Sequence, residues 1–165
     1  MNRSALFILL FSLVFLLTGC PYNSDIPLSE TPNVAIDKAL LGSWQLKEDV
    51  EKKDSSVLKI YSFNKTEYSI IVEDKSKAYT TVEAYRAFAT TVEGVNLINL
   101  EKLDYKGKFN FFNYKIEGDI LKIKIVSDVN VKDHYTSSKA MVKAFAEKMK
   151  EKEFFEGEII LVRKK

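Results

Sequence analysis

The chain has 165 residues, with 25 Lys+Arg against 23 Asp+Glu for a formal net charge of +2, and it contains one cysteine and one histidine. Nearly balanced charge without a clustered basic face excludes a nucleic-acid footprint. A single cysteine excludes an intramolecular disulfide, and His134 alone excludes a histidine-built zinc site. The length suits one domain, able to bury about 70% of its unfolded surface without covalent staples.

The first twenty residues read as a unit. Arg3 supplies a positive start, and Ala5–Leu17 is apolar except for Ser12. A bilayer-spanning helix needs about 20 apolar residues, so this run is too short to span and fits the h-region of a signal peptide. It ends in Leu17-Thr18-Gly19-Cys20, which resembles the bacterial lipobox. That resemblance implies that the Cys20 thiol receives a diacylglyceryl group and that residues 1–19 are cleaved away. The mature protein would then sit in the cell envelope, outside the cytoplasm, held in a membrane by acyl chains such as palmitate on Cys20. Two such chains hold a protein stably, at about 0.8 kcal/mol per buried CH₂. Pro21 stands where lipoproteins retained at the inner membrane carry aspartate, which favours the outer membrane in a cell that has one. The processed chain keeps no free thiol, as suits an oxidising compartment.

Pro21–Asn33 holds Pro21, Pro27 and Pro32 among small polar residues and shows no apolar period. It predicts a flexible tether over residues 20–33, spanning roughly 20 Å as a coil. The domain is then residues 34–165 and is expected to fold without the tether. Val34–Leu41 predicts a short helical turn, with Ile36, Leu40 and Leu41 on one side and Gly42 ending it. Seven strands follow from alternation and from β-branched and aromatic content: Ser43–Asp49, Val57–Phe63, Thr66–Glu73, Tyr79–Thr91, Val95–Glu101, Lys108–Ile116 and Ile120–Val126. Asn64-Lys65, Glu93-Gly94 and Glu117-Gly118-Asp119 are the turns between neighbours. The period then changes. Ser137 is a good N-cap, and Met141, Val142, Phe145 and Met149 form one helical stripe, with the helix running to about Lys152. Gly157 then releases a final strand, Glu158–Arg163.

About eight consecutive strands with one late helix predict a mainly β protein. The expected architecture is an up-and-down antiparallel barrel of about eight strands, with one C-terminal helix before the last strand. At this size a barrel interior holds side chains or one small ligand. Gly42-Ser43-Trp44 after a short helical turn, with Arg163 late in the chain, resembles the Gly-x-Trp opening of lipocalin-like domains. The resemblance covers residues 34–165 and lacks the lipocalins' later loop motif. It implies that Trp44 plugs one barrel end and that Arg163 packs across it.

No Gly-x-Ser-x-Gly elbow, His-Glu-x-x-His pair or phosphate loop occurs, so no catalytic residue and no cofactor is expected. His134 reads as a loop residue. Arg86 and Phe88 share one face of a strand. In one register both point inward, where Arg86 would meet a ligand carboxylate bidentately. In the other, Tyr85, Ala87 and Ala89 point inward and Arg86 faces water. The sequence therefore predicts a non-enzymatic envelope lipoprotein that binds a small apolar ligand or lipid in its barrel. The alternative is an envelope protein-binding lipoprotein, of inhibitor or immunity type, with a filled core. A cavity of roughly 300–1,000 Å³ would separate the two.

Overall fold

The computed structural model describes residues 21–51, 55–75, 79–128, 131, 134–151 and 154–164; residues 1–19 and Cys20 lie outside the described residues. The strands are β1 (Gly42–Leu46), β2 (Val57–Ser62), β3 (Glu67–Asp74), β4 (Thr81–Val92), β5 (Val95–Lys102), β6 (Phe109–Glu117), β7 (Ile120–Val126) and β8 (Phe155–Arg163). Each pairs antiparallel with the next, and β1 pairs with β8, so the sheet closes into an eight-stranded barrel. One helix, α1 (Ser138–Lys148), precedes the last strand. Its N-cap is Ser137, whose hydroxyl accepts from the Ala140 amide at 3.3 Å.

Up-and-down order assigns every loop to one of two ends. The hairpins β2–β3, β4–β5 and β6–β7 lie at one end, together with a short 3-10 turn, Lys38–Leu40, that leads into β1. The loops β1–β2, β3–β4 and β5–β6 lie at the other, together with the β7–α1–β8 connection.

Strand alternation builds two separate apolar cores. Inside the barrel, Trp44, Ile60, Tyr68, Ala87, Ala89, Leu121 and Leu161 are buried together. Outside the wall, Phe88, Leu97, Phe109 and Phe111 form a second core under α1, whose Met141 and Phe145 are fully buried. The Phe145 ring stands edge-on to Phe111 at 5.4 Å and to Phe154 at 5.2 Å, the geometry that aromatic quadrupoles favour. Strands β4 and β6 are thus apolar on both faces, which is why their sequences alternate poorly.

Two sequence expectations are corrected here. Gly157 does not release the last strand; β8 begins at Phe155, and Gly157 lies within it at φ +63°. The pairing steps from Ile123↔Ile159 to Ile125↔Glu156, so β8 carries one extra residue. That is a β-bulge, which glycine accommodates by entering the left-handed region.

The larger correction concerns Pro21–Asn33, expected to be a tether. It is folded onto the barrel. Pairing between β6 and β7 starts only at Phe112↔Ile125, leaving Phe109 and Val126 with free backbone groups. Tyr22 N–H donates to Val126 O at 2.9 Å, while Ser24 and Phe109 exchange two backbone hydrogen bonds of 2.9 and 2.8 Å. Tyr22 and Leu28 are buried in the outer core. Further along, the Leu28 amide donates to Asn99 Oδ1 at 2.7 Å, and the Ser138 hydroxyl donates to Pro27 O at 2.7 Å. The segment is therefore clamped between the wall and the start of α1.

Candidate functional site

The barrel is plugged at the hairpin end. Trp44 is fully buried and its indole N–H donates to Leu40 O at 2.8 Å. The Arg163 guanidinium lies 4.2 Å from the centre of the Trp44 ring and donates to Leu41 O and Ala39 O, each at 2.8 Å. Asp119 stands 3.4 Å from Arg163 Nε. Gly42, at φ +125°, leaves the space this needs: a β-carbon there would lie 2.8 Å from an Arg163 terminal nitrogen, closer than unbonded atoms sit. Sequence-predicted Trp44 and Arg163 are thus brought together.

Asp37 fixes the plug to the wall. Its amide donates to Tyr68 Oη at 2.6 Å, its carboxylate accepts from Tyr114 Oη at 3.2 Å, and the same carboxylate caps the 3-10 turn through the Ala39 amide at 2.9 Å. Burial pushes the Tyr68 and Tyr114 hydroxyls up from their ordinary pKa, and for Tyr114 the Asp37 charge adds to it. Both rings stay neutral through physiological pH.

Beyond the plug the interior is hollow. A cavity of about 310 Å³ runs between β2 and β8, walled almost wholly by aliphatic and aromatic side chains. Ile60, Tyr68, Leu121 and Leu161 bury its closed end; Leu58, Val72, Tyr85, Leu100 and Ile159 line the other end and are partly exposed. The cavity therefore opens at the end opposite Trp44. At the rim, Lys102 Nζ pairs with Glu83 at 2.5 Å, and Tyr85 Oη donates to the other Glu83 oxygen at 2.5 Å. Burial, and then the Glu83 charge, pushes the Tyr85 hydroxyl up. The lining side chains thus carry no charge, and polar groups sit at the cavity's two ends, the Tyr68 and Tyr114 hydroxyls bonded to Asp37 at the plug and the Glu83 group at the mouth.

Arg86 and Phe88 do not line this cavity. Tyr85, Ala87 and Ala89 take the inward positions, so Arg86 and Phe88 stand on the outer wall. The register is set by what each face offers: Phe88 finds a dry site, edge-on to Phe109 at 6.5 Å, and Arg86 finds two carboxylates. Arg86 binds Glu67 through Nε at 2.6 Å and Nη2 at 2.5 Å, reaches Glu101 at 3.3 Å, and lies 5.2 Å from the Phe88 ring centre. Burial would raise the Glu67 carboxyl, but hydrogen bonds from Asn64 and Arg86 outweigh it and hold it below the ordinary range. His134 is exposed in the loop before α1. Among the described residues, no group of three or more His, Cys, Asp or Glu side chains is placed to hold a metal, and no helix is long and apolar enough to cross a membrane.

No family model, no curated protein and no solved structure matches this chain.

The inward residues Tyr68, Ile70 and Val72 share a face that alternation alone reveals. Asp37 carries no sequence signal, since Tyr68 and Tyr114 come from distant strands, and the rim pair Glu83–Lys102 shows only once the register of the β4–β5 hairpin is known.

Proposed function

We propose that this chain is a lipid-anchored cell-envelope protein with a lipocalin-like barrel. It holds one small apolar molecule, of the class of a fatty acid or a single acyl arm of a lipid, and catalyses no step. The observation that carries this reading is the cavity, whose 310 Å³ falls at the lower end of the ~300–1,000 Å³ typical of small-molecule sites. Water in a space with such apolar walls finds few hydrogen-bond partners, and the walls lack the close contacts of a packed core. An apolar occupant restores those contacts. The Glu83–Lys102–Tyr85 group at the mouth suits its polar end. A filled core, which the protein-binding alternative requires, lacks this support.

Native mass spectrometry of protein prepared without detergent is expected to show an apolar adduct lost on denaturation. Anthroyloxy-stearic acid is expected to bind saturably, with its fluorescence enhanced. Ile70→Trp, which projects a larger ring into the cavity, should weaken that binding roughly tenfold or more, since one displaced CH₂ or two already removes about 1 kcal/mol. Neither adduct nor saturable binding in the unaltered protein would sink the ligand reading. The anchor has its own test. Cells fed labelled palmitate should label the chain, and Cys20→Ser should abolish the label; equal labelling of both forms would remove the anchor.

A further inference from the structure

The open end of the barrel exposes more large apolar side chains than the plugged end, where Tyr61 and Phe63 are exposed at 50% and 70%. Among the described residues, the exposed large apolar side chains include Val50, Tyr79, Val82, Leu103 and Tyr105, with exposures from 44% to 69%. All five stand on the β1–β2, β3–β4 and β5–β6 loops or beside them, which topology places around the open mouth. Tyr and aliphatic side chains of this kind are what bilayer interfaces take up, the phenol at headgroup level and the chain below it.

The chain enters the domain at this same end. Pro21 bridges to Ser127, just past the end of β7, and Ser24 pairs with Phe109 at the start of β6. Cys20 is bonded directly to Pro21, so no free spacer separates the lipidation residue from the rim. An anchor there brings the mouth, and not the Trp44 end, to the membrane. Charge does not oppose this, since Lys47, Lys75, Lys106 and Lys108 are exposed at this end among a similar number of acids.

We propose that the open rim seats on the bilayer that holds the Cys20 acyl chains, so that the cavity opens directly onto lipid and an apolar ligand moves between them without crossing water. The orientation rests on the anchored, ligand-holding reading above.

The test uses the full lipidated protein in phosphatidylethanolamine/phosphatidylglycerol vesicles. With the native thiol acylated, a cysteine introduced by Tyr105→Cys or Phe63→Cys takes a spin label at the open or the plugged end. The label at 105 is expected to be accessible to oxygen and shielded from a water-soluble nickel chelate, and the label at 63 the reverse. Equal aqueous exposure at both positions overturns the docking. A second measurement follows transfer of anthroyloxy-stearic acid from vesicles to the anchored protein. The triple variant Tyr79→Ser, Leu103→Ser, Tyr105→Ser is expected to slow transfer roughly tenfold or more, as lost interfacial burial predicts. Its affinity for the same probe without vesicles should be unchanged. Unchanged transfer overturns the docking, while lost solution binding in the unaltered protein would instead overturn the ligand reading.

Discussion

Trp44→Ala is expected to destabilise the protein by about 3–5 kcal/mol, the range for truncating a buried aromatic. Trp44 has no exposed surface, and it holds the 3-10 turn down through its bond to Leu40 O. Without the ring, the cavity opens through at both ends and the β1–β8 seam loses its cover. Arg163→Ala is expected to cost about 2 kcal/mol, because it removes two hydrogen bonds to the Ala39 and Leu41 carbonyls along with the ring contact. In the Trp44→Ala background the Arg163 change should cost less by about 1 kcal/mol. The coupling is smaller than the whole arginine effect because the carbonyl bonds do not depend on the ring. Urea midpoints for the four proteins of this double-mutant cycle measure it. Strictly additive losses would mean that the arginine does not stabilise the indole, and the plug would then rest on Asp37 and Trp44 alone.

How far the sequence carried depends on which physical signal each element leaves. Strand β7 was legible residue for residue, because Leu121, Ile123 and Ile125 face one way and Lys122 and Lys124 the other. The helix was legible from its stripe, although it ends at Lys148 and not Lys152. Strand β1 was read too long: it ends at Leu46, and Lys47–Asp49 turns as a 3-10 helix that alternation cannot distinguish from a strand end. The register of β4 was open because both of its faces are covered, one by the barrel core and one by α1 and Phe109. Arg86 then reads equally well inside or outside, and only Glu67 and Glu101, on neighbouring strands, decide it. The hollow interior was not legible at all. It depends on inward side chains of β2 to β8, from Leu58 and Ile60 to Ile159 and Leu161, meeting around one space, a matter of distant placement and not of local pattern.

The segment before the domain misled the sequence reading for the same reason, and it carries the second large effect. Tyr22 and Leu28 are lone apolar residues among prolines and serines, so they leave no period. Their burial depends on a gap between β6 and β7 that the local sequence does not announce. Leu28→Ala is expected to cost about 2–5 kcal/mol, and Tyr22→Ala about 3–5 kcal/mol, because each empties a dry site. The Tyr22 ring stacks 6.0 Å from Phe111 and meets Phe145 edge-on at 6.1 Å. Asn99→Ala should add a loss of its own, since Asn99 is buried and also donates to Phe88 O and Thr90 Oγ1; without it the Leu28 amide and the Thr90 hydroxyl lose a partner in a dry place. Truncation to Val34 removes these contacts together, yet it also removes the entropy of ordering thirteen residues, about 1–2 kcal/mol each. The point substitutions are therefore the sharper measure, made in a Cys20→Ser background by urea unfolding. A truncated chain should lose cooperativity or aggregate, because the rings of Phe109, Phe111 and Phe145 would then meet water. A Leu28→Ala variant within about 0.5 kcal/mol of its parent, as for an exposed residue, would restore the tether, and the barrel mouth would again be free to stand roughly 20 Å from the lipid.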